Sequence, residues 1–301
     1  MLLPLRDDAL SEVVGFVLIL GVIVVALSLY QVYGVPAAGR ENEIAHMNQV
    51  KDRFVDYKIA LDSLWVNNRT GVLLSTAFDL GTGAPATGGT AFAFPILTPA
   101  GSGGTVSVNS GGASLTIERA GKDPVIIPLG NLTYRSSNRY WVDQTWTYQM
   151  GAVFLSQEGG TTVRVGPSIA IAKTKDDNIT LTVAPISLEG SGTIAGSGPV
   201  RVETRMRRSD QPILDVACDQ VNLTVTGDTA TVRAWERAFG EVRQRAKDES
   251  VTWLLKPEVS AGSKKVTLTV KPGPEENKKV FLSMYPANYT VTIHNAASLV
   301  E

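Results

Sequence analysis

The chain has 301 residues, with 28 basic and 29 acidic side chains and a formal net charge of −1. This balance argues against a nucleic-acid-binding protein, because such proteins usually carry a clear excess of basic residues. The single cysteine, Cys218, excludes an internal disulfide and a cysteine-based zinc cluster. We expect it to be a small buried residue on a strand.

A long apolar segment lies close to the N-terminus, and no charged residue occurs from Val13 to Tyr33. At about 1.5 Å per residue, a helix of this length spans about 30 Å, the thickness of the hydrocarbon core of a bilayer. The apolar region of a secretory signal is only about 7–15 residues long. The sequence therefore predicts a retained transmembrane helix over residues 9–33.

The residues ahead of the apolar segment form a polar leader, 1–8, followed by "ALSEVVG". Glu12 stands at the edge of the apolar run, where an unpaired carboxylate is costly. This arrangement resembles the N-terminus of archaeal type IV pilins and their pilin-like relatives. The rest of the chain resembles large pilin-like surface proteins of methanogenic archaea.

The resemblance implies a processing step and a fate for the helix. A prepilin-type peptidase would cut between Asp8 and Ala9 and leave the apolar helix on the subunit. That helix would hold the subunit in the membrane and later pack into the core of a filament. Glu12 would then lie close to the new N-terminus, where the amine of a neighbouring subunit could neutralise it.

Residues 34–41 are predicted to be a linker, because Pro36 cannot continue a helix and the flanking glycines favour a helix end. A second, amphipathic helix is predicted over 42–66, since its apolar residues recur every three or four positions. Glu43 falls on the polar face of this helix. The apolar face suits packing on the helix's own domain, which we favour, or a stalk that pairs with neighbours.

Beyond residue 66 the hydrophobic period changes to two, and glycine, proline, asparagine and aspartate separate short apolar runs. We predict a first β domain at 67–189, a Gly/Ser linker at 190–198, and a second β region at 199–301. A helix at about 229–247, capped by Asp228 or Thr229, interrupts the second region. The expected fold is mainly β, with sandwich or jelly-roll-like layers, one inserted helix and the long N-terminal helix.

Catalytic and metal-binding residues are not predicted. The two histidines, His46 and His294, belong to no zinc or hydrolase motif, and no phosphate-binding loop is present. We therefore expect neither enzymatic activity nor a cofactor.

Five N-x-T sequences are spread over the chain after the apolar segment, and we interpret them as candidate N-glycosylation sites. The same pattern is typical of the solvent-facing side of a strand, where Asn and Thr alternate outward. Their wide spread favours an extracellular location for the bulk of the chain. The five asparagines are Asn68, Asn131, Asn178, Asn222 and Asn288.

An aromatic segment, 140–148, is predicted to be one strand with alternating faces. Large aromatic residues at alternate strand positions are usually part of a core, which we expect for Trp146 and Tyr148. Trp141 lies on a face that is otherwise polar. It is therefore a candidate for contact with a ligand such as a sugar.

Together these patterns predict a single-pass cell-surface protein with a structural or adhesive role. It would be a pilin-like filament subunit or an envelope component, with membrane lipid, a prepilin-type peptidase and like subunits as partners. The alternative is a monomeric anchored module that recognises an envelope glycan or another surface protein. The expected helix break at 34–39 and the large extracellular domain favour the alternative, because many filament subunits run their helix straight on.

Overall fold

A computed structural model describes residues 7–82, 97–207, 211–249, 251, 257–259, 264–273 and 277–295, with side chains from residue 13 onward. The helices are α1 (Asp7–Leu29), α2 (Val35–Val66) and α3 (Thr229–Asp248), and a π-helical turn (Tyr30–Gly34) joins the first two. The described residues form 19 strands and are mainly β. The strands are β1 (Leu73–Asp79), β2 (Gly103–Asn109), β3 (Ser114–Arg119), β4 (Lys122–Pro128), β5 (Asn131–Ser137), β6 (Thr145–Gln149), β7 (Ala152–Gln157), β8 (Gly160–Val165), β9 (Ile169–Lys173), β10 (Ile179–Val183), β11 (Ile186–Glu189), β12 (Ser191–Gly196), β13 (Pro199–Met206), β14 (Ile213–Cys218), β15 (Val221–Thr226), β16 (Glu258–Val259), β17 (Lys265–Val270), β18 (Val280–Met284) and β19 (Ala287–Asn295).

The N-terminal helix does not break at residues 34–41, so the predicted linker is wrong. α1, the π-helical turn and α2 follow one another without an interruption. The N–H of Val35 donates to the carbonyl of Tyr30, five residues back, and Pro36 lies in the first turn of α2. Inside a continuing helix, a proline removes one i→i−4 hydrogen bond and its ring crowds the carbonyl four residues back. The wider i→i−5 turn directly before Pro36 gives that carbonyl more room. The wider π turn therefore lets the helix pass through the proline.

The strands form four sheets. Sheet A has the order β1-β13-β19-β11, sheet B β12-β2-β5-β6-β7-β8, sheet C β16-β17-β15-β3-β4, and sheet D β14-β18-β10-β9. Most neighbouring strands are antiparallel, and the pairs β10–β18 and β11–β19 are parallel. The sheets have a propeller-like arrangement and do not form the clear sandwich that the sequence predicts.

The arrangement differs from a sandwich because two pairs of consecutive strands bend and pass from one sheet into another. β10 runs into β11, and β18 into β19, at paired prolines, Pro185 and Pro286. The ladder continues through this bend, because Tyr285 donates to Val183 (2.9 Å) and Ala287 donates to Pro185 (3.0 Å). Proline cannot donate within a ladder, so it favours the positions where a strand turns.

Two hydrophobic cores result, and we name them after the helix that each contains. The α2 core joins α2 to sheets A and B, and the α3 core joins α3 to sheets C and D. Strand β7 serves both, since Val153 and Leu155 point into the α2 core and Phe154 points into the α3 core. Successive strand residues face opposite sides, so one strand can separate the two cores.

The predicted boundary at 190–198 does not separate these units. It contains strand β12, which pairs with β2 from Ser191–Asn109 to Gly196–Gly104. The α2 core takes side chains from Met47 to Val291, so both predicted β regions contribute to it. The strand is mostly exposed, so small residues suffice for it, and such a composition is also typical of a linker.

α3 runs from Thr229 to Asp248, against the predicted 229–247. The carboxylate of Asp228 caps it by accepting the N–H of Thr231 at 2.7 Å. This cap lowers the pKa of Asp228. At the end of β14, Cys218 is buried, and burial raises the pKa of its thiol.

Candidate functional site: the exposed helix and its junction with the β domain

The apolar half of the long helix is largely exposed, and no residue from Val13 to Tyr33 is buried. Among its large apolar side chains, the exposed fraction lies between 46% at Leu27 and 71% at Tyr33. The described residues include one helix that is long and apolar enough to span a membrane, and its apolar part is this segment. A contiguous apolar surface of this size marks contact with a membrane or with another protein.

The predicted processing site falls at the start of this helix. Asp8, Ala9 and Glu12 lie within α1, which begins at Asp7, and their side chains are outside the described part of the chain. Residues 1–6 of the leader are also outside it. Gly15 and Gly21 follow on α1, and a β-carbon at either would meet no atom within 4 Å.

The second half of the helix is held in the α2 core by its apolar face, which confirms the packing on its own domain that the sequence favours. Phe54, Tyr57 and Leu61 are each at most 1% exposed. Two buried tyrosine hydroxyls also hold the helix by hydrogen bonds. Tyr57 hydrogen bonds to Thr204 (2.8 Å), and Tyr289 donates to the carbonyl of Leu61 (2.7 Å). Burial raises the pKa of both tyrosines, so they stay neutral and able to donate.

The prediction that Glu43 lies on the solvent-facing side of this helix is wrong. Glu43 is buried, with 1% of its surface exposed. Its two carboxylate oxygens accept the backbone N–H groups of Arg139 (2.7 Å) and Tyr140 (2.9 Å). Charge-assisted hydrogen bonds of this kind offset the cost of burying a carboxylate. The pair of bonds fixes the loop that follows β5 against the first turns of α2.

That loop, which we call the rim loop (residues 138–143), is also closed on itself. Asn138 donates its backbone N–H to the Asp143 carboxylate (2.7 Å) and its side-chain amide to the carbonyl of Val142 (2.8 Å). The ring of Tyr140 lies directly over Gly39, where a β-carbon would come within 2.4 Å of it. Glycine at this position therefore allows the loop to approach the helix.

Trp141 lies in the rim loop, where the sequence predicts a strand that begins at Tyr140. The strand β6 begins only at Thr145, because the Asn138–Asp143 closure occupies the preceding residues. Trp141 is half-buried, and the guanidinium of Arg40 stacks on its ring at 4.4 Å from the centroid. Trp146 and Tyr148 are buried in the α2 core, as the sequence predicts.

The two histidines take different partners. The Nε2 atom of His46 lies 3.0 Å from the carbonyl of Asp79, and its buried Nδ1 has no hydrogen-bond partner. Burial lowers the pKa of His46. His294 lies on β19, 3.3 Å from the carboxylate of Glu203, which also pairs with Arg201. Within the described residues, no group of three or more His, Cys, Asp or Glu side chains is placed to hold a metal ion.

The five candidate glycosylation sites differ in exposure. Asn68 is exposed, in the turn after α2 with φ of 48°, and the other four asparagines are half-buried. Asn178 accepts the backbone N–H of Lys279 (2.9 Å), and Asn222 donates to Glu118 (3.3 Å). Asn131 and Asn288 lie on strands β5 and β19.

A polar groove lies between sheet B and the start of α3. Neutral hydroxyl and amide groups dominate it, and Thr133 and Thr147 hydrogen bond across its floor at 3.2 Å. The capping Asp228 stands at one end. The polar residues that line the groove are Asn131, Thr133, Thr145, Thr147, Gln149, Ser156, Asp228 and Thr231.

Comparison with known proteins gives one family. No match is found among curated proteins, and none among solved structures. A family of unknown function, DUF7289, matches residues 100–272, which run from β2 to β17 and leave out α1 and α2. Because this match covers more than half of the 301 residues, the chain belongs to DUF7289.

Proposed function

We propose that this protein is an N-terminally anchored surface protein and a pilin-like subunit of a filament, with a structural or adhesive role. One observation carries the proposal. A single uninterrupted helix has an exposed apolar first half and a second half that forms part of the domain core. At about 1.5 Å per residue, the helix from Asp7 to Val66 is about 90 Å long.

This construction couples the domain firmly to the apolar segment. The contacts of Phe54, Tyr57 and Leu61 fix α2 in the core, and Glu43 fixes its first turns to the rim loop. The domain therefore cannot swing freely about a flexible linker. A filament needs such coupling, because the position of each domain must follow from the packing of the helices.

In this proposal, the exposed apolar half of the helix is covered by one environment before assembly and by another after it. A bilayer covers it first, since its length matches the hydrocarbon core. Neighbouring copies cover it in the filament, and Gly15 and Gly21 leave space for a helix to approach closely. Glu12 would then find the amine of a neighbouring subunit.

The continuity of the helix also weakens the case for the monomeric alternative. That case rests on an expected break at 34–39 and on the large extracellular domain, and the structure has no break there. The processing by a prepilin-type peptidase, the extracellular location and the glycosylation remain part of the proposal.

Two measurements on the protein purified from its native membranes test the proposal. Intact mass is expected to show the loss of residues 1–8, and electron microscopy of surface preparations is expected to show filaments. Replacing Glu12→Gln should abolish the filaments while the protein remains in the membrane. Glu41→Gln, at an exposed acid on α2, is the matched control and should leave them intact. Uncut protein, or dispersed particles from wild-type cells, would contradict the filament subunit.

The polar groove favours the second candidate, an anchored module that binds glycans. Its hydroxyl and amide groups are the types that hydrogen bond to sugar hydroxyls, and Asp228 is the single acid among its described lining residues. A glycan array with the full-length protein in detergent tests this candidate. Binding should fall for Thr147→Val and persist for Thr116→Val, at a half-buried threonine on sheet C. Absence of binding by the wild type would exclude the candidate for the glycans on the array.

A further inference from the structure

We propose that the rim loop and Arg40 form a membrane-contacting rim, in which Trp141 and Val142 enter the phospholipid headgroup layer. The inference rests on the proposed anchoring through α1 and adds a second point of contact with the lipid. This second contact is made by the β domain, through a loop that is remote in sequence from the apolar segment.

The first step is the height of the rim above the apolar segment. The exposed apolar run ends at Tyr33, and Val35 is already buried by the domain at 7% exposure. Arg40 lies seven residues beyond Tyr33, which is about 10 Å along a helix axis. The headgroup region adds about 5–8 Å on each side of the hydrocarbon core. The domain therefore begins within the headgroup layer, at Val35, and the backbone of Arg40 lies just beyond the outer edge of that layer.

The second step is the direction of the side chains. On a helix, each Cα–Cβ bond tilts toward the N-terminus, so the side chain of Arg40 reaches back toward the apolar segment. A long arginine side chain can place its guanidinium among lipid phosphates. The Trp141 ring is 4.4 Å from this guanidinium, so the two groups lie at the same depth.

The third step is the order of the loop along the helix. Arg139 and Tyr140 are held by Glu43, the Tyr140 ring lies over Gly39, and Trp141 stacks on Arg40. The ring contacts of Tyr140 and Trp141, at Gly39 and Arg40, thus lie nearer the apolar segment than the backbone contacts at Glu43. Val142 follows and is 46% exposed.

The composition of the rim suits a headgroup layer. Tryptophan and tyrosine favour the membrane–water interface, and arginine pairs with phosphate. Arg40 and Arg139 are exposed, and the exposed acids beside them are Glu41 and Asp143. Asp143 already accepts the N–H of Asn138, so its carboxylate is held within the loop.

The test uses full-length protein reconstituted into vesicles of phosphatidylcholine and phosphatidylglycerol. Part of the phosphatidylcholine is brominated near the top of its acyl chains, where bromine quenches tryptophan fluorescence only at short range. The wild type should be quenched, and Trp141→Phe should lose most of that quenching. Trp65→Phe is the matched control, because Trp65 lies at the far end of α2. The remaining tryptophans are common to all these proteins and cancel in the comparison.

A gain-of-signal variant protects the test against misfolding of Trp141→Phe. Val142→Trp should increase the quenching above the wild-type level. Equal quenching of wild type and Trp141→Phe, or no gain for Val142→Trp, would overturn the inference. Flotation of the wild type with the vesicles separates the two proposals. Protein that fails to float contradicts the anchor itself, whereas floating protein without Trp141-dependent quenching contradicts the rim alone.

Discussion

The hydroxyl of Tyr289, on the last strand, donates a hydrogen bond of 2.7 Å to the carbonyl of Leu61, near the end of the long helix. Both residues are fully buried in the α2 core. This contact ties β19, the final described strand of the chain, to the helix that carries the apolar segment. It adds a hydrogen bond to the apolar packing that holds the helix in the domain core.

Removing this hydroxyl tests the strength of that connection. We expect Tyr289→Phe to lower the free energy of unfolding by about 1 kcal/mol, the usual net value of a buried hydrogen bond. Tyr285→Phe is the control, since Tyr285 is 37% exposed and should lose almost nothing. Denaturant unfolding of both variants in the same detergent measures the difference. Equal stabilities would show that the bond contributes nothing.

The carboxylate of Glu43 gives a second prediction. Glu43→Gln replaces one acceptor oxygen by a donor that faces a backbone N–H, so one of its two bonds is lost. Hydrogen bonds to charged groups are worth about 1.5–3 kcal/mol, and we expect a loss of stability in that range. Hydrogen exchange at the amides of Arg139 and Tyr140 should accelerate. If Glu41→Gln has the same effects, the role assigned to Glu43 is wrong.

Two helix glycines form a matched pair with opposite expected outcomes. Gly39→Ala puts a β-carbon within 2.4 Å of the Tyr140 ring, so the rim loop must shift and the protein should be destabilised. Gly240→Ala, within α3, meets no atom within 4 Å and should stabilise by about 0.5–1 kcal/mol. Thermal unfolding compares the two variants. Stabilisation by both would mean that the loop does not rest on Gly39.

His46 predicts a pH dependence of stability. Burial lowers its pKa below the ordinary value of about 6.5, which it regains on unfolding. As pH falls through 6.5, the unfolded state therefore binds the proton first, and stability present above that pH is lost. His46→Gln should flatten the fall in unfolding free energy between about pH 7 and pH 5. Parallel pH profiles for wild type and variant would contradict this assignment.

Local patterns in the sequence were sufficient for several elements. The apolar length of residues 13–33 gives a membrane-length helix, and the three–four spacing of Phe54, Tyr57 and Leu61 gives the buried face of α2. The cap at Asp228 marks the start of α3. Each depends on residues close together in the chain, so the signal is complete within one segment.

Other features depend on residues far apart in the chain, and the sequence gives no local sign of them. The sequence pattern places Glu43 on the solvent-facing side of a helix. In the folded chain the N–H groups of Arg139 and Tyr140 donate to its carboxylate, which allows it to be buried. The composition of residues 190–198 is typical of a linker. In the folded chain they form a strand, because β2 supplies its hydrogen-bonding partner in the sheet. One signal was available at Gly39, where a glycine inside a helical pattern can indicate a close approach.

The sequence by itself determined that this is a mainly β protein with one membrane-length apolar helix, because hydrophobic period and length are properties of single segments. Only the tertiary structure decided that this helix continues through Pro36 into the domain, and that the rim loop meets it at Gly39 and Glu43. The reason is physical. A proline allows either a break or a continued helix, and the packing of α2 in the core stabilises the continued one.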